Sequence, residues 1–65
     1  MLHINTQRAI ERRINAGHDR FFIGSYYYEW THNSILRRRE QDAGRTPVSE
    51  WELVGWVTKE GVRYV

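Results

Sequence analysis

The chain has 65 residues, no cysteine, and ten Lys or Arg against eight Asp or Glu, for a net charge of +2. That length holds one domain with a thin core, because a chain this short buries only about 60% of the surface it exposes when unfolded, and the lack of cysteine excludes a disulfide framework and a thiolate metal site. No apolar run approaches the ~20 residues of a membrane span, and the acids so nearly balance the bases in both halves that no basic or acidic tail and no dense cationic cluster stands out.

Leu2, His3 and Ile4 open the chain with enough apolar surface to pack down. Thr6 or Asn5 offers a side-chain oxygen to the unpaired N–H groups of a first helical turn, so a helix is predicted from Gln7 to Ala16, with Gly17 as a left-handed stop. Its apolar marks are Ala9, Ile10 and Ile14, with Ile10 and Ile14 four apart on one face and Ile4 as a staple at the entry. Arg8 and Arg12 lie on the other side, with Arg13 on the flank. A stripe this narrow does not hold a helix alone, so it is expected to lie on a sheet.

His18, Asp19 and Arg20 read as a turn. Phe21–Trp30 is rich in aromatics and predicts one long strand, with a bulge or a close approach of the helix at Gly24. His32, Asn33 and Ser34 supply turn chemistry, and Ile35–Gln41 is expected to return antiparallel. A helix over residues 34–43 competes with that strand: Ser34 would cap it and Gly44 would end it. Only Ile35, Leu36 and Ala43 would form its stripe, so the strand is preferred. Asp42–Pro47 reads as a polar loop and Val48–Thr58 as a third strand. Lys59, Glu60 and Gly61 read as a hairpin turn, and Val62–Val65 as a short last strand. The predicted fold is α+β, one N-terminal helix packed on a three- to four-stranded antiparallel meander, in a single domain.

A three-residue loop at His32–Ser34 sets Thr31 against Ile35 and Tyr28 against Arg38. A loop at 41–48 sets Leu36 against Leu53, Arg37 against Glu52, Arg38 against Trp51 and Arg39 against Glu50. Alternation then sorts the sheet into two faces. Tyr26, Tyr28, Trp30, Leu36, Trp51 and Leu53, with Val57 and Tyr64, are expected under the helix. Tyr27, Glu29, Ile35, Arg37, Arg39, Glu50, Glu52, Val54 and Trp56 are expected on the open side.

Three kinds of chemistry compete for these residues. His3, His18 and His32 are 15 and 14 residues apart and share no compact ligand spacing. Glu29-Trp30-Thr31-His32 has a Glu-x-x-His spacing, which binds metal only from a helix within a bundle, so no metal or cofactor is expected. A small ribonuclease would take His18 or His32 as general base, Glu29 as a second acid or base, and Arg and Tyr on a phosphate. Without a convergent acid, base and nucleophile, enzyme activity is not expected. Nucleic-acid binding would use Arg8, Arg12, Arg13 and the run Arg37, Arg38, Arg39, with aromatics stacking on bases. The expected register brackets that run with Glu29, Glu50 and Glu52 and cancels its field.

The remaining reading is a protein-binding module. Tyr27, Ile35, Val54 and Trp56, set among charges, have the make-up of an interface with aromatic anchors and a polar rim. Small inhibitors and host-directed phage proteins share the size and the lack of chemistry, an analogy of dimensions only. A protein partner is expected first and nucleic acid second. A homodimer would add the core area that the monomer lacks. The opening Met and the absence of a charged segment followed by an apolar one lead us to expect an intact small cytoplasmic gene product.

Overall fold

The computed structural model describes residues 2–41 and 46–65. Helix α1 (Ile4–Asn15) is followed by strands β1 (Arg20–Ile23), β2 (Tyr26–Thr31), β3 (Ser34–Gln41), β4 (Thr46–Pro47), β5 (Glu52–Thr58) and β6 (Gly61–Tyr64). The strands form one antiparallel sheet in the order β1-β2-β3-β5-β6, with β4 continuing the β5 side of β3. The fold is α+β, as expected, with six strands rather than three or four. No helix among the described residues is long and apolar enough to cross a membrane. Of the expected loop Asp42–Pro47, residues 42–45 lie outside the described residues, while Thr46 and Pro47 form β4, and the expected third strand begins at Glu52 rather than Val48.

The helix begins earlier than predicted because His3, not Thr6 or Asn5, caps it. The His3 backbone is extended and its Nδ1 accepts from the Asn5 N–H at 3.1 Å. Ile4 is therefore the first helical residue, and it is half exposed. The far end closes as a Schellman motif: Gly17, at φ +91°, donates to the Ile14 carbonyl and His18 to the Arg13 carbonyl, each at 3.0 Å. Arg12 and Arg13 in the last turn suit the negative end of the helix dipole.

One of the two extra strands comes from a turn. Gly24, at φ +62°, makes a two-residue connection with Ser25, which splits the predicted first strand into β1 and β2. Positive φ at the first central position is what a type II′ hairpin turn needs, and glycine meets it without strain. Residues 34–41 are strand, not helix. The β2–β3 loop has two residues, His32 and Asn33, at φ +52° and +66°, which is type I′ geometry. Thr31 therefore pairs with Ser34, Tyr28 with Arg37 and Tyr27 with Arg38.

A one-residue slip moves every side chain of a strand to the other face. Ile35 and Arg37 thus lie on the helix side, and Leu36 and Arg38 on the open side. The expected pairs Leu36–Leu53 and Arg37–Glu52 are present, so β5 follows β3: Leu53 is outside and Val54 inside. The register then shifts by one between Leu36 and Ile35, so that Ile35 pairs with Gly55 and Ser34 with Trp56. This bulge lets Val54 point into the core while Trp56 remains outside.

The core is Ile10 and Ile14 of α1 against Phe21, Tyr28, Ile35 and Val54 of the sheet. Phe21 and Tyr28 are cross-strand partners whose rings stack at 5.4 Å. The Tyr64 hydroxyl lies 2.8 Å from Glu11 Oε2 and 3.0 Å from the Gln7 carbonyl, which ties β6 to the helix.

Candidate binding face

With the helix on one side, the other side of the sheet is a single layer, and three cross-strand rows cover it. The first runs Phe22, Tyr27, Arg38 and on to Trp51; the second Arg20, Glu29, Leu36, Leu53; the third Thr31, Ser34, Trp56, Arg63. Leu36 and Leu53 are the middle of the grid. Phe22 is 45% exposed, Leu53 43%, Trp56 42% and Trp51 39%, high values for side chains of this size that adjoin one another.

The rings of the first row lean on each other. Phe22 and Tyr27 are 4.9 Å apart at 40°, and Tyr27 and Trp51 6.0 Å apart at 49°. The Arg38 guanidinium lies 4.5 Å from the Trp51 centroid and 5.9 Å from that of Tyr27. Its Nε donates to Glu40 Oε2 at 2.5 Å, and the Glu40 side chain is only 3% exposed. The Tyr27 hydroxyl donates to Glu29 Oε1 at 3.1 Å. Burial, with the Glu29 carboxylate beside it, raises the Tyr27 pKa. Both acids of the face are thereby engaged within it.

Of the residues expected at a partner interface, Tyr27 and Trp56 are on this face. Ile35 and Val54 are not: at 0% and 5% exposure they belong to the core, for the register reasons above. The same slip brought Leu36, Trp51 and Leu53 outside instead of under the helix, and Phe22 joins them. The missed signal was His32-Asn33, two residues that tolerate positive φ and so admit a two-residue loop.

The arginines do not converge. Arg8, Arg12 and Arg13 are exposed on the helix. Arg37 is on the helix side, where its Nε meets Glu52 Oε1 at 2.6 Å, its Nη1 reaches the Tyr28 hydroxyl at 3.3 Å, and its guanidinium covers the Tyr26 ring at 4.0 Å. Burial pulls its pKa down, but the bonds it donates to Tyr28 and Glu52 outweigh this and raise it. Arg38 is on the open face, and Arg39 is exposed on the helix side of the strand. The expected bracket of acids is partly present: Glu52 takes Arg37, whereas Glu40 takes Arg38.

His3 caps the helix, His18 follows its end and His32 sits in the β2–β3 turn, so the histidines are at three separate places. Among the described residues no three His, Asp or Glu side chains are grouped to hold a metal ion. A cleft of about 210 Å³ is lined by Leu2, Arg37, Glu52, Leu53, Val54 and Tyr64, with Val65. Its one close charged pair is the Arg37–Glu52 bridge, and the histidines lie elsewhere.

Protein-family models, curated proteins and solved structures give no match to this chain.

Proposed function

We propose that this chain is a small non-enzymatic binding module that covers a surface of a larger protein with the open face of its sheet, an inhibitor-like mode of action suited to a phage or bacterial accessory protein. One observation carries the reading: Phe22, Trp51, Leu53 and Trp56, all about two-fifths exposed, share one side of the sheet, with Tyr27 joining Phe22 to Trp51. Large apolar side chains with an arginine among them and charges at the margin are the make-up of an interface centre and rim.

Nucleic-acid binding is the second reading, favoured by Arg38 among Tyr27 and Trp51. It is weaker because Arg38 already lies on the Trp51 ring and is paired with Glu40. The middle of the face is two leucines, and Glu29 and Glu40 share it.

The test is capture with wild type beside a Tyr27→Ala, Trp56→Ala double variant of unchanged circular dichroism. A protein retained after nuclease and at moderate salt, lost by the variant, and shifting the Trp51 and Trp56 indole resonances when purified is the expected outcome. Equal capture by the variant would refute the face. A nuclease-sensitive catch that weakens steeply with salt would make the protein a nucleic-acid binder.

A further inference from the structure

The open face has a candidate occupant that the chain itself supplies. We propose that, when no partner is present, two copies pack open face to open face as a two-sheet sandwich with the helices outside. The inference rests on the reading of that face as a docking surface and names what competes for it.

Charge points to a like surface. The face carries Arg20, Arg38 and Arg63 against Glu29 and Glu40, with Glu50 beside Arg38 and Trp51 at its margin. A balanced face selects neither a strongly acidic nor a strongly basic partner, and it does not repel its own copy. A nucleic-acid strand would instead meet carboxylates among the arginines.

Shape agrees. In a symmetric dimer the same patch meets itself. Leu36 and Leu53 are in the middle row, with Phe22, Tyr27 and Trp51 on one side and Trp56 on the other. A two-fold axis through the leucines sets them against their own copies and lays the ring rows against each other. Inner faces of packed sheets stand about 10 Å apart, a gap that side chains of this size fill.

Area permits a weak, reversible pair. Twelve side chains, four to a row, on strands about 4.8 Å apart with rows about 7 Å apart, make a face of roughly 400 Å² in plan. The pair would bury about 800 Å² before the relief of the rings is counted, the size of a transient association. The accessible surface of the chain is 4865 Å², against about 4,400 Å² for a compact monomer of its mass.

Sedimentation velocity across dilution tests this, with wild type beside a Leu53→Arg, Trp56→Arg variant. Wild type is expected to move from 7.9 kDa toward twice that mass as concentration rises, and the variant to stay at the lower mass with unchanged circular dichroism. A dimer that persists in the variant overturns the inference. Wild type that stays monomeric to about 1 mM, where even a dimer with a Kd of roughly 100 μM would form, also overturns it and leaves the docking of a different protein untouched. Should the variant not fold, iodide quenching of tryptophan emission in wild type decides. Quenching that falls as the dimer forms supports the face, and quenching that holds constant while the mass doubles places the dimer elsewhere.

Discussion

The Arg38 guanidinium lies over Trp51 while its Nε holds the nearly buried Glu40 carboxylate. Its neighbour Arg37 points the opposite way, into Tyr26, Tyr28 and Glu52 at the margin of the core. Arg39 uses its backbone, with its N–H to Ser49 Oγ at 2.8 Å and its carbonyl accepting from Val48 at 2.9 Å, while its side chain stays exposed. Alternation sends Arg38 to the face opposite its two neighbours, and Arg37 and Arg39, on one face, differ because Arg37 covers Tyr26 and meets Glu52 while the Arg39 side chain is exposed.

The three therefore separate in a stability measurement. Arg38→Ala leaves the Glu40 carboxylate in place without its partner and is expected to cost about 1–3 kcal/mol. Arg37→Ala loses both the hydrogen bonds and the stem packing over Tyr26, about 1–2 kcal/mol. Arg39→Ala is expected to change stability by less than about 0.5 kcal/mol. Urea unfolding of the three variants checks this. Equal effects at all three positions would contradict these three environments.

Much of this architecture is legible in the residues. The Ile10–Ile14 stripe with Gly17 after it marks the helix, and the aromatic run with its turn residues marks an antiparallel sheet. The pairs Leu36–Leu53 and Arg37–Glu52 follow from the expected loop at 41–48. The faces are less legible, because they depend on one residue of loop length. His32-Asn33-Ser34 is compatible with a loop of two or three, and only the φ values at His32 and Asn33 decide between them. Val54-Gly55 hides a second ambiguity, since either neighbour of a bulge can be the extra residue. Two single-residue choices thus decide whether Ile35 or Leu36 is core and whether Val54 accompanies Trp56. Both changed the candidate site more than they changed the fold.

That turn predicts a gain of stability. Non-glycine residues at φ +52° and +66° are held against their preference. Asn33→Gly should add about 0.5–1 kcal/mol, or about 4–8 °C in Tm for each kcal/mol in a domain this small. His32→Val, β-branched where φ is positive, should cost about 1–2 kcal/mol. Thermal unfolding of both variants measures the difference. A loss with Asn33→Gly would mean that the loop is not type I′.

Gly55 predicts a loss for a different reason. A Cβ there would run into the Arg63 carbonyl and crowd Tyr64 Cα, backbone atoms of the paired strand β6. No flexible side chain can yield, so β5 and β6 must separate locally. Gly55→Ala is expected to cost about 1–3 kcal/mol and to raise amide exchange along Gly61–Tyr64. An unchanged midpoint would show that the strands are not so close.

Tyr64 connects stability to alkaline pH. Burial raises its pKa above the ordinary tyrosine value, and the hydrogen bond to Glu11 and the charge of that carboxylate raise it further. The folded state therefore keeps the proton while the unfolded chain gives it up near pH 10. The sign follows: the Tyr64 contribution is fully present below about pH 10 and declines as pH rises toward the folded pKa. Tyr27, raised by burial and Glu29, acts in the same direction. Tyr64→Phe deletes the hydroxyl that ties β6 to α1, so it should cost about 1 kcal/mol at pH 7. It should also flatten the fall in stability between about pH 9 and 11, leaving the Tyr27 share. Urea midpoints of wild type and Tyr64→Phe at pH 7, 9 and 11 test both parts. Parallel pH profiles would show that the Tyr64 hydroxyl is not held by Glu11 in solution.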